Sequence, residues 1–264
     1  MPRAALAGLL ICAAALNVQA QEIVEFRQGA VTLKAALYKP PGNGPFPGIV
    51  ALHGCGGIGR DITRPSRRHA DWGERLQAQG FAVLMPDSYG TRGLGPQCNN
   101  RERSVTPGGE RTLDAIAARE WLAARDFARK DVSLLGWSNG GSTVLHVLKR
   151  ADAGGFKRAI AFYPGCRVLL RQPWRPAVPV LILIGEADDW TPAAPCKALA
   201  EQAGNIAAFT GYPGAYHGFD DPDSPLRTRD GAAFSASGTG RVTQGTDPAA
   251  RADAIRRVPE FFLK

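Results

Sequence analysis

Beyond its first twenty residues, the 264-residue sequence contains no apolar run long enough to span a bilayer, which takes about 20 consecutive residues. It also lacks internal repeats, low-complexity tracts and an interdomain linker, so nothing indicates a fibre, a disordered chain or a second domain. Because 44% of the residues are hydrophobic and 21% are charged, we expect residues 21–264 to fold as one globular domain.

A stripe of basic and aromatic residues of the kind that binds nucleic acid is missing as well. The net charge of +8 comes from 32 Lys and Arg against 24 Asp and Glu. The arginines are spread along the chain, with only short clusters at 64–68 and 101–103. We therefore interpret the positive charge as a solvated surface and expect no nucleic-acid partner.

The first twenty residues have the composition of a secretory signal peptide. Arg3 supplies a positive start, residues 6–16 are apolar, and Val18-Gln19-Ala20 offers small residues where a signal peptidase cleaves. We expect residues 1–20 to be removed. The mature chain would then be exported, periplasmic or secreted, without stable membrane insertion.

Cysteine is scarce, and its number is informative. Loss of Cys12 with the signal leaves four cysteines, and an even number in an exported protein favours disulfide bonds. Three pairings are possible and the pattern does not choose among them; four unpaired, buried thiols are the alternative. We favour Cys55 with Cys98 and Cys166 with Cys196, because each pair would join loops at the same end of a sheet.

Apolar runs of strand length alternate with stretches of helical periodicity. The predicted strands are residues 22–26, 31–37, 48–52, 81–85, 132–135, 158–162, 178–184 and 206–209, and the predicted helices are 70–79, 110–128, 142–150, 193–203 and 248–263. The first two strands are expected to pair antiparallel. The later alternation predicts a mostly parallel sheet with helices on both faces, in which an active site forms in the loops after the strands.

One such loop has the pattern of a nucleophile elbow. The stretch 136–141, GWSNGG, follows a buried-looking strand and precedes a helix. Gly136 and Gly140 lack the side chains that would clash where strand and helix nearly touch, and Ser138 is held at the tip of the turn. A glycine-rich turn without catalytic purpose is the alternative, but the position after a strand favours a serine nucleophile.

A serine nucleophile needs a base and an orienting carboxylate. Of the four histidines, His69 and His146 sit in helix-like stretches, whereas His217 lies in a loop between the last strand and the last helix. We predict His217 as the general base. The carboxylate is expected from the loop after strand 178–184, where we favour Asp188 over Asp189, the other acid capping the following helix.

The tetrahedral intermediate needs two backbone N–H donors. The residue after the nucleophile, Asn139, supplies one in the predicted arrangement. The second is expected from Cys55 in the stretch 53–57, HGCGG, whose glycines let the backbone curl towards the substrate. His53 stands beside this turn, so we interpret it as positioning the turn rather than as the base.

The order Ser138, Asp188, His217 is that of α/β-hydrolases. With the motifs HGCGG (53–57), PDSY (86–89), GWSNGG (136–141), GEADDWTP (185–192) and YHGF (216–219), the chain resembles the dienelactone hydrolase family from about residue 30 to its end. The resemblance implies an α/β-hydrolase fold and hydrolysis of a small-molecule ester or lactone without a metal or an organic cofactor. The namesakes carry cysteine where Ser138 stands and glutamate where Gly54 stands. They also hold the substrate carboxylate with an arginine, to which Arg92 is comparably placed.

Five residues flank the predicted site and are candidates for contact with the substrate. The aromatic ones would suit aromatic esters, although aromatic residues beside motifs also serve as core. The candidates are His53, Tyr89, Arg92, Trp137 and Trp190.

The sequence leaves two other kinds of function open. The same residues would serve a peptidase or a thioesterase. A periplasmic binding protein that has lost catalysis on a hydrolase fold is the alternative outside the enzymes. The intact set of serine, acid, histidine and glycines argues for the enzyme.

Overall fold

A twisted central sheet carries the loops that form the site. The computed structural model describes residues 21–264, so the predicted signal peptide lies outside the described residues. In chain order the strands of this part are β1 (Glu22–Gln28), β2 (Val31–Tyr38), β3 (Gly48–Leu52), β4 (Gly59–Asp61), β5 (Arg64–Pro65), β6 (Ala82–Pro86), β7 (Ser133–Trp137), β8 (Ala159–Phe162), β9 (Val180–Gly185), β10 (Ala207–Tyr212), β11 (Arg227–Arg229) and β12 (Val242–Gln244).

Five α-helices connect or follow the strands in the described residues. They are α1 (Arg67–Ala78), α2 (Glu110–Ala123), α3 (Asn139–Leu148), α4 (Ala193–Ala203) and α5 (Pro248–Leu263). None of these five is both long and apolar enough to cross a membrane.

Eight strands pair in the order β1-β2-β6-β3-β7-β8-β9-β10, and the remaining four form two small hairpins, all within residues 21–264. β1 with β2 and β2 with β6 are antiparallel, and the other neighbours are parallel. The predicted mostly parallel sheet and α/β-hydrolase fold are confirmed. Every residue of β3, β6, β7, β8 and β9 is buried, as apolar strands covered on both faces require.

Among its parallel strands the chain changes direction along the sheet once. It steps from β3 to β6 one way, and from β6 past β3 to β7 and onwards the other way. Because such crossovers are right-handed, α1 lies on one face and α2, α3 and α4 lie on the other. α5 joins α1, since Arg251 pairs with Asp71 at 2.6 Å and Phe262 packs on Phe81 with ring centroids 6.3 Å apart. Ligands bind at such a reversal, beyond the carboxyl ends of the strands.

The start of α1 and the end of α2 differ from the predicted boundaries for local reasons. α1 begins at Arg67, before the predicted residue 70, because the Ser66 side chain caps it by accepting the His69 N–H at 3.5 Å. α2 ends at Ala123 instead of continuing to 128. The chain beyond it pairs with Phe46, whose N–H donates to the Phe127 carbonyl at 2.7 Å.

Disulfide bonds join Cys55 to Cys98 and Cys166 to Cys196, the two pairs that were predicted. Cys55 and Cys166 follow β3 and β8, so both bonds tie down loops at the carboxyl edge of the sheet. Cys98 and Cys196 lie on a long loop and on α4. The loops around the site are therefore cross-linked to the rest of the fold.

Candidate active site

Ser138 occupies the strained turn between β7 and α3. Its φ of 53° and ψ of −114° are outside the regions that side-chain-bearing residues prefer. A Cβ on Gly136 would lie 2.4 Å from the Gly140 carbonyl oxygen, and one on Gly140 would lie 2.1 Å from that of Leu52. Both glycines are therefore required for strand and helix to meet at this angle, and the turn leaves Ser138 only half-buried.

His217 links Ser138 to a buried carboxylate. Its Nε2 atom lies 3.0 Å from the Ser138 Oγ atom, and its Nδ1 atom lies 2.8 Å from Oδ2 of Asp188. Since a carboxylate only accepts, Nδ1 carries the proton and Nε2 offers its lone pair to the serine hydroxyl. The tautomer needed to remove a proton from Ser138 is thus the one that this hydrogen bonding selects.

The loop after β9 fixes the Asp188 carboxylate. Its Oδ1 accepts the N–H groups of Trp190 at 2.9 Å and Thr191 at 2.8 Å, and the Thr191 hydroxyl lies 3.0 Å from Oδ2. Asp189 does not cap α4, which corrects that expectation. Its carboxylate instead accepts the N–H of Thr243 at 2.7 Å and so ties the 213–247 segment to the site.

Two aromatic rings pack against the imidazole of His217. Its ring centroid lies 4.5 Å from that of Tyr163 and 4.7 Å from that of Trp190. The Gly245 N–H, just after β12, donates to the His217 carbonyl at 3.2 Å. The loop that carries the histidine is irregular, but the imidazole itself is buried and held at a defined angle.

Two backbone segments meet beside Ser138. Asn139 is the first residue of α3, so its N–H has no partner inside the helix. Cys55 faces the same space from the loop after β3, where its carbonyl accepts the Gln97 N–H at 2.7 Å. These are the two residues from which oxyanion donors were predicted, and both line the cavity over Ser138.

Behind these two segments lies a residue that no sequence motif signalled. Arg111 of α2 is completely buried. It donates to the Asn139 Oδ1 atom and, at 2.6 Å, to the His53 carbonyl oxygen. Its guanidinium also lies over the Tyr89 ring, 5.1 Å from the centroid. Only its position near the start of a predicted helix was visible in the sequence.

His53 supports the loop after β3 from within the protein. Its Nδ1 lies 2.8 Å from the Gly54 carbonyl and its Nε2 accepts the Ser88 N–H at 3.2 Å. Burial, with the nearby Arg111 charge, holds the pKa of His53 well below its ordinary value, so the ring is neutral. This location agrees with a role in positioning the turn and removes His53 from the substrate contacts.

The cavity over Ser138 has a volume of about 500 Å³. Five residues were predicted to contact the substrate. Of these, Trp190 alone belongs to the described residues that line the cavity. No local pattern predicted that the other lining residues lie together, since they come from three separate loops and from α3. They include Arg101, Arg103, Thr106, Ser142, His146, Arg167, Val168, Ala233, Phe234 and Ser235.

Arg92 is held away from this cavity. Its two terminal nitrogens donate to both oxygens of the Asp114 carboxylate at 2.7 and 2.8 Å, and one of them also donates to the Ser88 carbonyl. Asp114 is fully buried, so breaking this bidentate pair to bind a substrate would leave a buried charge unpaired. The expectation that Arg92 holds a substrate carboxylate is corrected on this ground.

Tyr89 and Trp137 serve the framework of the site. The Tyr89 hydroxyl donates to Asn139 Oδ1 at 3.0 Å, and the Trp137 indole N–H donates to Asp220 at 2.8 Å. Both side chains are at most 1% exposed, which removes them from contact with substrate in this structure. Asp220, three residues after His217, also accepts from the Tyr163 hydroxyl at 2.6 Å and was not predicted.

The family model of dienelactone hydrolases matches residues 33–264. The chain belongs to the dienelactone hydrolase family. This is a family of hydrolases, and the match covers every residue of the site described above.

Solved structures of low sequence identity share the fold of this member of the dienelactone hydrolase family. A dienelactone hydrolase from Anabaena variabilis has 18% identity and a TM-score of 0.64, and the alignment covers 92% of this chain and 96% of that one. A dienelactone hydrolase-like promiscuous phosphotriesterase from metagenomic libraries has 20% identity and a TM-score of 0.69, covering 92% and 97%. Esterase 2 of Thermogutta terrifontis, phosphorylated by paraoxon, has 20% identity and a TM-score of 0.65, covering 94% and 95%.

Proposed function

We propose that this protein is a serine hydrolase that cleaves carboxylic esters or lactones through an acyl-enzyme. The observation that supports the proposal is the chain of hydrogen bonds, 3.0 and 2.8 Å long, from Ser138, which lines the cavity, through His217 to Asp188. Nucleophile, base and orienting carboxylate stand within reach of one another, as acyl transfer requires.

The proposed reaction has two halves. Ser138 Oγ attacks the ester carbonyl while its proton moves to Nε2 of His217, and the Asp188 carboxylate balances the imidazolium charge. The N–H groups of Cys55 and Asn139 would stabilise the oxyanion. The C–O bond then breaks, the leaving alkoxide takes the proton from His217, and an acyl-serine remains. Water attacks this ester by the same steps, which releases the acid and restores Ser138.

A burst experiment tests the nucleophile. With p-nitrophenyl acetate we expect a burst of p-nitrophenol equal to the active enzyme when deacylation is slower than acylation, and labelling by a fluorophosphonate probe. Ser138→Ala should lose both, whereas Ser104→Ala, a change at an exposed serine, should keep both. A retained burst and label in folded Ser138→Ala would refute the assignment. Comparing oxygen esters with thioesters and peptides separates an esterase from a thioesterase or peptidase.

We further propose that the preferred ester carries a negative charge away from the scissile bond. Arg101, Arg103 and Arg167 line the cavity, and its described lining residues include no carboxylate. Burial and the Lys149 charge lower the pKa of His146, so it adds no positive charge at neutral pH. Arg101 and Arg167 are exposed and form no ion pair with another described residue, which leaves both free for an anion.

A matched pair of substrates tests this preference. We expect mono-p-nitrophenyl glutarate to have a higher kcat/KM than neutral p-nitrophenyl butyrate, with the ratio falling as salt screens the exposed charges. Arg167→Gln should lower the ratio by about 1.5- to 5-fold, since one exposed ion pair contributes about 0.2–1 kcal/mol. Arg171→Gln, an exposed change outside the cavity lining, is the control. An equal or reversed preference would refute the anionic substrate.

We also propose that the mature protein begins at Gln21 in an oxidising compartment. The two disulfide bonds support this location, because such bonds persist outside the reducing cytosol. Expression of the full chain in a bacterial host, followed by fractionation and N-terminal sequencing, tests it. Recovery of cytosolic protein that retains residues 1–20 would refute the proposal.

A further inference from the structure

Arg111 is a fully buried cation behind the two backbone segments that meet at Ser138. Its guanidinium contacts both backbone segments that meet at Ser138, through the side chain of Asn139 and through the carbonyl of His53. The peptide that contains the His53 carbonyl leads directly into the loop of Cys55. One rigid, planar group thus spans the two segments from which the proposed oxyanion donors come.

The contacts of Arg111 are with neutral groups. Among the described residues, no carboxylate forms an ion pair with it, although Asp87 and Asp114 are close enough to act on it through space. Both carboxylates are engaged elsewhere: Asp114 by Arg92, and Asp87 by the N–H groups of Tyr89 and Gly90 at 3.2 and 2.9 Å.

The Nε atom of Arg111 is buried without a hydrogen-bond partner. Burial accordingly lowers the pKa of the guanidinium. The group nevertheless stays protonated, because the ordinary pKa of arginine is far above neutral pH. A buried charge is costly unless something balances it. The groups that surround Arg111 in the resting protein balance it only in part.

We propose that Arg111 is a positioning residue for the oxyanion hole, and that the negative oxygen of the tetrahedral intermediate balances its charge. The proposal rests on the acyl-enzyme function above. The guanidinium fixes the peptides of Asn139 and of the Cys55 loop relative to each other, so that both N–H groups converge before the substrate arrives. Its charge adds to the field at the oxyanion only when that charge develops, which affects kcat more than substrate binding.

Three substitutions at Arg111 separate charge from geometry. Arg111→Lys keeps the positive charge but loses the planar group that donates in two directions. Arg111→Gln loses the charge but keeps an N–H donor, and Arg111→Met loses both the charge and the donor. We expect kcat for p-nitrophenyl acetate to fall about 10- to 100-fold in the Gln and Met variants, less than the ~100- to 1000-fold loss on removal of a direct oxyanion donor. KM should change less than kcat, and Arg111→Lys should be intermediate. Arg119→Gln removes a positive charge from the same helix away from the site and is the matched control.

A readout besides activity excludes a merely structural role. Phenylboronic acid forms a negatively charged tetrahedral adduct with an active serine, whereas benzamide binds as a neutral planar molecule. We expect the ratio of their affinities to fall with kcat in each variant that melts cooperatively. An unchanged ratio in the folded variants overturns the inference, and if only Arg111→Lys folds, its ratio decides.

The wild-type protein distinguishes this failure from that of the proposed function. If the wild type gives neither a burst nor a fluorophosphonate label, the acyl-enzyme function is refuted, and this inference with it. If the wild type is active and the Arg111 variants keep both kcat and the affinity ratio, only the role of Arg111 is refuted.

Discussion

Replacing Asp220 should test the framework that joins Ser138 to His217. The Oδ2 atom of this fully buried carboxylate accepts the indole N–H groups of Trp72 and Trp137, each at 2.8 Å. Its Oδ1 atom accepts the Tyr163 hydroxyl at 2.6 Å and lies 3.4 Å from the Arg68 guanidinium. Trp137 precedes Ser138 and Tyr163 packs on His217, so one side chain ties together both halves of the site.

The size of the effect follows from the number of hydrogen bonds. Asp220→Ala leaves three buried donors unsatisfied at about 1–3 kcal/mol each, a loss of about 3–9 kcal/mol. The whole stability of a domain is about 5–15 kcal/mol. In Asp220→Asn the amide oxygen can keep both indole bonds, but they fall from about 1.5–3 kcal/mol with a charged acceptor to about 0.5–1.5 with a neutral one. We expect Asn to cost about 2–3 kcal/mol, and so to lie between the wild type and Ala.

Urea unfolding with the disulfide bonds intact, followed by tryptophan fluorescence, gives the free energy of unfolding by linear extrapolation. Asp223→Asn, a change at an exposed acid three residues later, is the control and should leave stability within about 0.5 kcal/mol. We also expect kcat to fall in Asp220→Asn, because the bond from Trp137 weakens and the amide NH2 group that then faces Tyr163 cannot accept its hydroxyl hydrogen. An Ala variant within about 1 kcal/mol of the wild type, or an Asn variant less stable than Ala, would refute the hydrogen-bond reasoning.

Three other predictions concern single features of the fold. Gly140→Ala should lower both stability and kcat, because the new Cβ would lie 2.1 Å from a carbonyl oxygen of β3. Gly95→Ala is the control, since a Cβ there would have no neighbour within 4 Å. Equal effects of the two substitutions would contradict the close-packing argument. Burial, with the charge of the neighbouring arginine, lowers the pKa of His69 to about 3. The unfolded chain therefore binds the proton first, and the free energy of unfolding should fall by up to about 1.4 kcal/mol per pH unit from pH ~6.5 towards 3. In unfolding curves His69→Gln should fall less steeply, and an equal slope would rule out this contribution. Replacing Cys55 and Cys98 together by Ser should cost about 4 kcal/mol for the 43-residue separation and also lower kcat. Unchanged kcat at full folding would argue against the oxyanion role of the Cys55 loop.

Local pattern was enough to predict the sheet and the three side chains that meet at Ser138. Buried parallel strands consist of continuous apolar runs, so β3, β6 and β9 were recognisable within one or two residues. The strained turn at Ser138 depends on glycines at fixed positions, which the sequence displays directly. The order of strands then brought Asp188 and His217 to the same edge.

The surroundings of the site depend on contacts between residues far apart in the chain. Asp220 was not recognisable from the sequence because the hydrogen-bond partners of its side chain lie 57 to 148 residues away. Trp137 and Tyr89 belong to motifs, yet their polar atoms face inward to buried partners. Proximity in sequence to Ser138 therefore predicted more cavity-lining residues than the structure has. The loops around 101–103, 167 and 233–235 form the cavity wall without any shared local pattern.

The arginines show most clearly why the role of a charged residue cannot be predicted from the sequence without knowing its partners. Arg92 and Arg111 both lie between β6 and β7 in the chain, but a carboxylate 22 residues away neutralises Arg92, while the hydrogen bonds that Arg111 forms among the described residues are with neutral groups. Arg167 remains in solvent at the mouth of the cavity. In our proposals Arg167 acts on a charge that the substrate already has, and so on its selection, whereas Arg111 acts on a charge that exists only during the reaction. The two should therefore separate in kinetics: Arg167 should alter kcat/KM for anionic esters alone, and Arg111 should alter kcat for charged and neutral esters alike.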